Sequence, residues 1–135
     1  MKSKYFCLFF EDNIPTTTSQ QKKYSFKTRR TYEPPKLKAA RSLYMEKLKE
    51  YIPETKFVGA VELNVVFHFA TTDKKKKGTY KRSRPDLDNM CKLFQDCLTQ
   101  SGFFEDDNAV VKLVLEKRWS KAEAFMEVYI TELED

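Results

Sequence analysis

Histidine is almost absent from this chain, and cysteine is scarce and unpaired. His68 is the single imidazole, and Cys7, Cys91 and Cys97 form no Cys-x-x-Cys pair. A lone histidine does not make a zinc site, and an odd cysteine count without close spacing argues for reduced thiols rather than a disulfide framework. With 3 glycines and 5 prolines, the composition excludes collagen-like and low-complexity chains. No apolar run approaches the roughly 20 residues needed to cross a bilayer. The start, Met1-Lys2-Ser3-Lys4-Tyr5-Phe6, is charged and lacks the long apolar segment and small-residue cleavage site of a signal peptide. The expectation is a cytoplasmic protein with no membrane contact.

What is present fits one domain, residues 1–135, with 41% apolar residues to close a core. Its charge is unevenly spread. Residues 1–85 hold 20 Lys and Arg against 8 Asp and Glu, a balance of +12, whereas residues 86–135 hold 5 against 12, a balance of −7. A basic half beside an acidic half suits a polyanion that is gripped and also cut.

Tyr5 to Phe10 reads as a short strand. Residues 11–34 are polar and basic, with Lys22, Lys23, Lys27, Arg29 and Arg30 interleaved with Tyr24, Phe26 and Tyr32. They predict a surface loop able to carry a small hairpin, its cations holding phosphates while its rings meet bases or sugars. Pro34-Pro35 opens a helix from about Lys36 to Tyr51, with Leu37, Ala40, Tyr44, Leu48 and Tyr51 as its packing stripe and Pro53 as its stop. Gly59 to Thr71 alternates, with Val61, Leu63, Val65, Phe67 and Phe69 on one face and Glu62, Asn64 and His68 on the other. Residues 72–84 form a second basic loop carrying Lys74, Lys75, Lys76, Lys77, Lys81, Arg82 and Arg84, expected to be disordered until DNA is bound. Leu87 to Thr99 is a second helix stopped by Gly102, with Leu87, Met90, Cys91, Phe94, Cys97 and Leu98 as its apolar stripe. Val110 to Trp119 and Ala124 to Leu133 are two strands joined by Ser120-Lys121-Ala122-Glu123, which predicts an antiparallel hairpin. The fold expected is a small α+β domain, with a mixed sheet of about four strands packed against two main helices.

The chemistry gathers at Arg84-Pro85-Asp86-Leu87-Asp88-Asn89-Met90-Cys91-Lys92. Asp86 and Asp88 stand where the proline starts a helix, and Lys92 follows Asp88 by one turn on the same face. Acids return at Glu105-Asp106-Asp107, past Gly102 and before an apolar strand. Helix capping accounts for one such acid, not for four aspartates and a lysine. An EF-hand matches Asp86-x-Asp88 but fails at Met90 and Cys91, where an acid or amide and then glycine belong. No serine or cysteine nucleophile has a histidine partner, because His68 has no visible support. Oxygen ligands with a lysine beside them point to phosphodiester hydrolysis, in which Mg²⁺ acidifies a bound water and Lys92 steadies charge on the phosphoryl oxygens.

These residues resemble the RusA family of Holliday-junction resolvases. The match rests on Arg84-Pro85-Asp86-Leu87-Asp88-Asn89-x-x-Lys92, on Gly102-Phe103-x-Glu105-Asp106-Asp107 with its following strand, and on Thr31-Tyr32-x-Pro34. The resemblance implies an Mg²⁺-dependent endonuclease, with Mn²⁺ as a substitute, acting as a homodimer on four-way DNA junctions in recombination and repair, often encoded in phage or prophage DNA. It implies that Asp86, Asp88 and Asp107 are metal-binding catalytic acids, Lys92 the catalytic lysine and Asp106 a secondary ligand. The chain departs from the family at Gln20-Gln21-Lys22-Lys23-Tyr24, where many relatives have an Arg-Pro-Arg-like stretch. A four-way junction has two equivalent strands, so one site per chain calls for a two-fold pair of chains. A broader branched-DNA nuclease and a junction-binding protein without catalysis are the alternative readings of the same residues.

Overall fold

Strict alternation of apolar and polar residues builds the centre of the fold. The computed structural model describes residues 2–17 and 23–135, with the backbone alone at 23 and 24. In it the alternating stretch is strand β4, Val61–Phe69, flanked by β5, Val110–Trp119, and β6, Ala124–Glu132. β4 pairs parallel with β5 and antiparallel with β6, and β1, Ser3–Phe10, adds antiparallel to β6. The resulting mixed sheet has the order β1-β6-β4-β5, with the two helices on one face, as the α+β expectation has it. On that face Val61, Leu63, Val65, Phe67 and Phe69 are all buried. They meet Phe6, Leu8 and Phe10 of β1 and Met126, Val128 and Ile130 of β6 in a single core.

The predicted hairpin between the last two strands does not form. β4 lies between β5 and β6, so the chain from Ser120 to Glu123 arches across the end of β4. The Ser120 N–H donates to the Phe69 carbonyl (2.7 Å), and the Ser120 hydroxyl donates to the Glu123 carbonyl (2.5 Å). Two strand spacings are only about 10 Å, well within the reach of four residues. A short connection therefore permitted adjacency without requiring it.

Helix α1, Pro35–Leu48, buries Leu37, Ala40, Tyr44 and Leu48. It ends before the predicted Tyr51, because Lys49–Tyr51 tighten into a 3₁₀ turn that lays the Tyr51 ring flat on Phe6, centroids 4.7 Å apart. Helix α2, Leu87–Ser101, runs two residues beyond the predicted Thr99 and packs on α1 through the Tyr44–Phe94 edge contact. Gly102 terminates it in the left-handed region (φ 94°), its N–H bonding the Thr99 carbonyl (3.1 Å) while Phe103 N–H reaches Leu98 (3.0 Å). That double contact is the Schellman stop for which glycine has no steric penalty. In the first basic loop, β2, Lys23–Ser25, and β3, Arg30–Tyr32, form the expected small hairpin.

The second basic loop is ordered, against expectation. Gly78 N–H donates to the Trp119 carbonyl (2.8 Å), Trp119 N–H to Thr79 (2.8 Å) and Lys81 N–H to Lys117 (3.0 Å), which lays residues 78–81 along the free edge of β5. The run of lysines hid this, because an unpaired sheet edge recruits backbone whatever the side chains are.

Burial also sets thiol reactivity, since the thiolate is the reacting form. Desolvation pushes Cys91 and Cys97 up to about 12, whereas Cys7 is only half-buried. Titration of the folded protein with a disulfide reagent near pH 8 should therefore show one fast thiol per chain, and three after denaturation. Two or more fast thiols in the folded state would contradict this packing.

Candidate active site

The acids are delivered by a β4–α2–β5 unit, in which the helix crosses back between two parallel strands. Asp86 is the N-cap residue of α2, in extended conformation (φ −69°, ψ 141°), and its carbonyl accepts from Met90 N–H (3.1 Å). Its carboxylate makes no capping bond. Asp86 and Asp88 are exposed, and among the described residues neither side chain has a hydrogen bond or ion pair. Lys92, one turn on, is exposed and equally unpaired. Two free carboxylates and a free ammonium at one helix start leave charge available for a ligand rather than for the fold.

Asp106 and Asp107 lie beyond the end of that helix, at the turn that leads into β5. Asp106 caps the 3₁₀ turn Asp107–Ala109, its carboxylate accepting from Asn108 N–H (3.3 Å). Asp107 is half-buried and accepts from the Thr99 hydroxyl, and its charge adds to the burial that raises the Cys91 thiol. The crossover thus sets Asp86 and Asp88 at the start of α2 and Asp107 on its flank, bonded to Thr99 and within electrostatic reach of Cys91. Among the described residues no group of three or more His, Cys, Asp or Glu side chains stands close enough to hold one metal ion. The donor type nonetheless fits a hard cation. Magnesium keeps several waters and is held by one or two carboxylates plus substrate phosphate, which the Asp86–Asp88 pair can supply.

The loop entering this site is fixed by two lysines. Lys81, expected on the DNA side, turns inward and is only 7% exposed. Its ammonium donates to the Ser83 hydroxyl (2.7 Å), to the Ser83 carbonyl (3.2 Å) and to the Arg84 carbonyl, and lies over the Phe69 and Trp119 rings at 5.0 and 4.8 Å. Burial, and then the ammoniums of Lys117 and Lys76, lower its pKa. Lys117 donates to the Ser83 and Pro85 carbonyls, each at 2.8 Å. Three successive carbonyls ahead of Asp86 are thus held by cations, and a Pro85 that is cis to Arg84 completes the bend. Lys117 escaped sequence reasoning because a lysine within a strand reads as surface. Lys81 was misassigned because β pairing of residues 78–81 sends alternate side chains to opposite faces.

The other basic residues keep the exposure predicted for them. Lys27, Arg29 and Arg30 are exposed on the small hairpin, and Lys74, Lys75, Lys76, Arg82 and Arg84 on the second loop, with Lys77 half-buried. Lys22 lies outside the described residues, and only the backbone of Lys23 is described. His68, expected to be unsupported, has a partner: its Nε2 is 2.6 Å from Glu127 Oε1, and its ring stacks on Phe125 at 4.1 Å. The pair sits on the face of the sheet away from the helices, because Val66 and Glu127 oppose each other across β4 and β6, and His68 follows Val66 on that side.

Replacing Lys81 by Met should cost about 1–3 kcal/mol in a urea melt, since buried carbonyls lose their donor. Arg82→Met, one residue away but exposed, should stay within about 0.5 kcal/mol. Equal effects of the two changes would contradict the inward position of Lys81.

Comparison with known proteins agrees with the family resemblance. The family model described as Endodeoxyribonuclease RusA matches residues 13–131, a span that includes both acidic segments. A protein named crossover junction endodeoxyribonuclease rusA, from Lactococcus phage r1t, is 34% identical over 128 residues, covering 90% of this chain and 93% of that protein. With the acids, the lysine and the crossover that carries them in view, the chain belongs to the RusA family of endodeoxyribonucleases.

Proposed function

We propose that the protein, as a single domain of residues 1–135, is a magnesium-dependent endonuclease that resolves four-way DNA junctions in the cytoplasm as a homodimer, each chain nicking one of two equivalent strands. The observation that carries the reading is the unpaired trio Asp86, Asp88 and Lys92 at the start of α2. Family membership and the crossover-junction name of the phage relative give it direction.

Asp86 and Asp88 would hold the divalent ion, with Asp107 as a further ligand and Asp106 beside it as a secondary one. Mn²⁺ suits the same oxygen donors. When bound, such an ion supplies an acidified water and positive charge where charge grows on the phosphate. Lys92 faces the same solvent as Asp88 and donates to a phosphoryl or leaving oxygen, an interaction strongest as that oxygen gains charge. Lys81 and Lys117 hold the backbone that carries Asp86, which limits how far the carboxylate can drift from a productive position. The exposed cations of the two basic loops neutralise phosphates, so that the strand can approach a cluster of acids that would otherwise repel it.

Asp88→Asn should lower cutting of a synthetic four-way junction by at least about 100-fold, while junction binding in Ca²⁺ changes little. Wild-type protein should give paired nicks with Mg²⁺ and none with chelator. Full activity of the variant would remove the assignment of the site. Equal rates on four-way and linear DNA would remove junction selectivity and leave a general nuclease.

A further inference from the structure

Beside the site lies a cavity of about 600 Å³ lined by Lys76, Thr79, Tyr80, Arg82, Ser83 and Trp119. Its volume falls in the range of about 300–1,000 Å³ usual for ligand pockets. The lining combines two aromatic rings, two exposed cations and the hydroxyls of Thr79, Tyr80 and Ser83, and contains no carboxylate. We infer that this cavity is a subsite for one unpaired nucleotide, whose base stacks against Trp119 and Tyr80 while Lys76 and Arg82 hold its flanking phosphates.

Four observations lead there. The rings are presented by rigid backbone, because residues 78–81 are hydrogen-bonded along β5. Tyr80 is 62% exposed and is steadied by the Arg118 guanidinium, 4.2 Å from its ring centroid, which is itself tied to the Gly78 carbonyl (3.0 Å). Lys76, with its ammonium 5.5 Å from the Trp119 centroid, is an exposed and flexible cover. A base can take its place on the indole while the ammonium moves to a phosphate. Position supplies the fourth: Ser83 lines the cavity and lies three residues before Asp86, at most about 10 Å along the chain. A base stacked here therefore belongs to the strand segment that reaches the acids. Sequence-tolerant stacking on aromatic side chains, with cations following the backbone, is how unpaired nucleic acid is held.

The inference rests on the DNA-cutting reading above. Trp119 is the single tryptophan of the chain, so its emission reports this cavity alone. With Ca²⁺ present to prevent cutting, oligothymidylate and a four-way junction should quench that emission. An abasic oligomer of equal length and charge should not. Tyr80→Ala, at an exposed position, should weaken oligothymidylate binding between about 5- and 150-fold, the range of one lost base stack. Binding by mobility shift with unchanged emission, equal quenching by the abasic oligomer, or full affinity of Tyr80→Ala would each overturn the subsite and leave the nuclease reading standing. No junction binding at all would overturn both.

Discussion

One buried surface fixes the placement of everything else: the inner face of β4. Val61, Leu63, Val65, Phe67 and Phe69 are sealed between the helices and the neighbouring strands. Full burial of such side chains is worth about 1.5–3 kcal/mol each in transfer terms. A slip of one residue would send all five to the outer face and bring Glu62, Asn64 and His68 inward. Register is therefore held firmly, and with it the point at which the chain leaves the sheet at Phe69.

That exit point explains the site. Phe69 receives the Ser120 N–H from the connection between β5 and β6, and its ring lies under the Lys81 ammonium. The same ammonium ties the segment ahead of Asp86, so the end of β4, the end of β5 and the start of α2 meet around one buried cation. Placing an ammonium there is costly unless it is well satisfied, and its protein acceptors and two rings provide that satisfaction. Acids that have no cationic partner of their own are thus carried on a backbone that does. Fold charges and working charges are kept apart.

Much of this was legible in the chain. The alternation of residues 61–69 and the helical spacing of residues 87–98 gave both elements, and the proline and glycine beside them gave the ends of α2 to within two residues. Asp86, Asp88 and Lys92 were legible because sequence spacing within one helix fixes which residues share a face. Three things were not. Strand order depends on which edge a segment reaches, so the Ser120–Glu123 connection looked like a hairpin. The inward turn of Lys81 depends on pairing between residues 78–81 and β5, distant in sequence. The support of His68 comes from Glu127 on a neighbouring strand, 59 residues away in sequence, so the imidazole looked unpartnered. Each miss is a long-range relation that no local pattern encodes.

The sheet also joins its first strand to its last. Ser3 pairs with Thr131 and Phe10 with Ala124, so β1 finds its partner only once residues 124–131 are available. On a ribosome the first strand must wait through the synthesis of both helices and the central strand before its hydrogen bonds can close. The sheet is accordingly closed by its most distant pair of strands, and a chain truncated before residue 124 lacks the strand that ties β1 to β4.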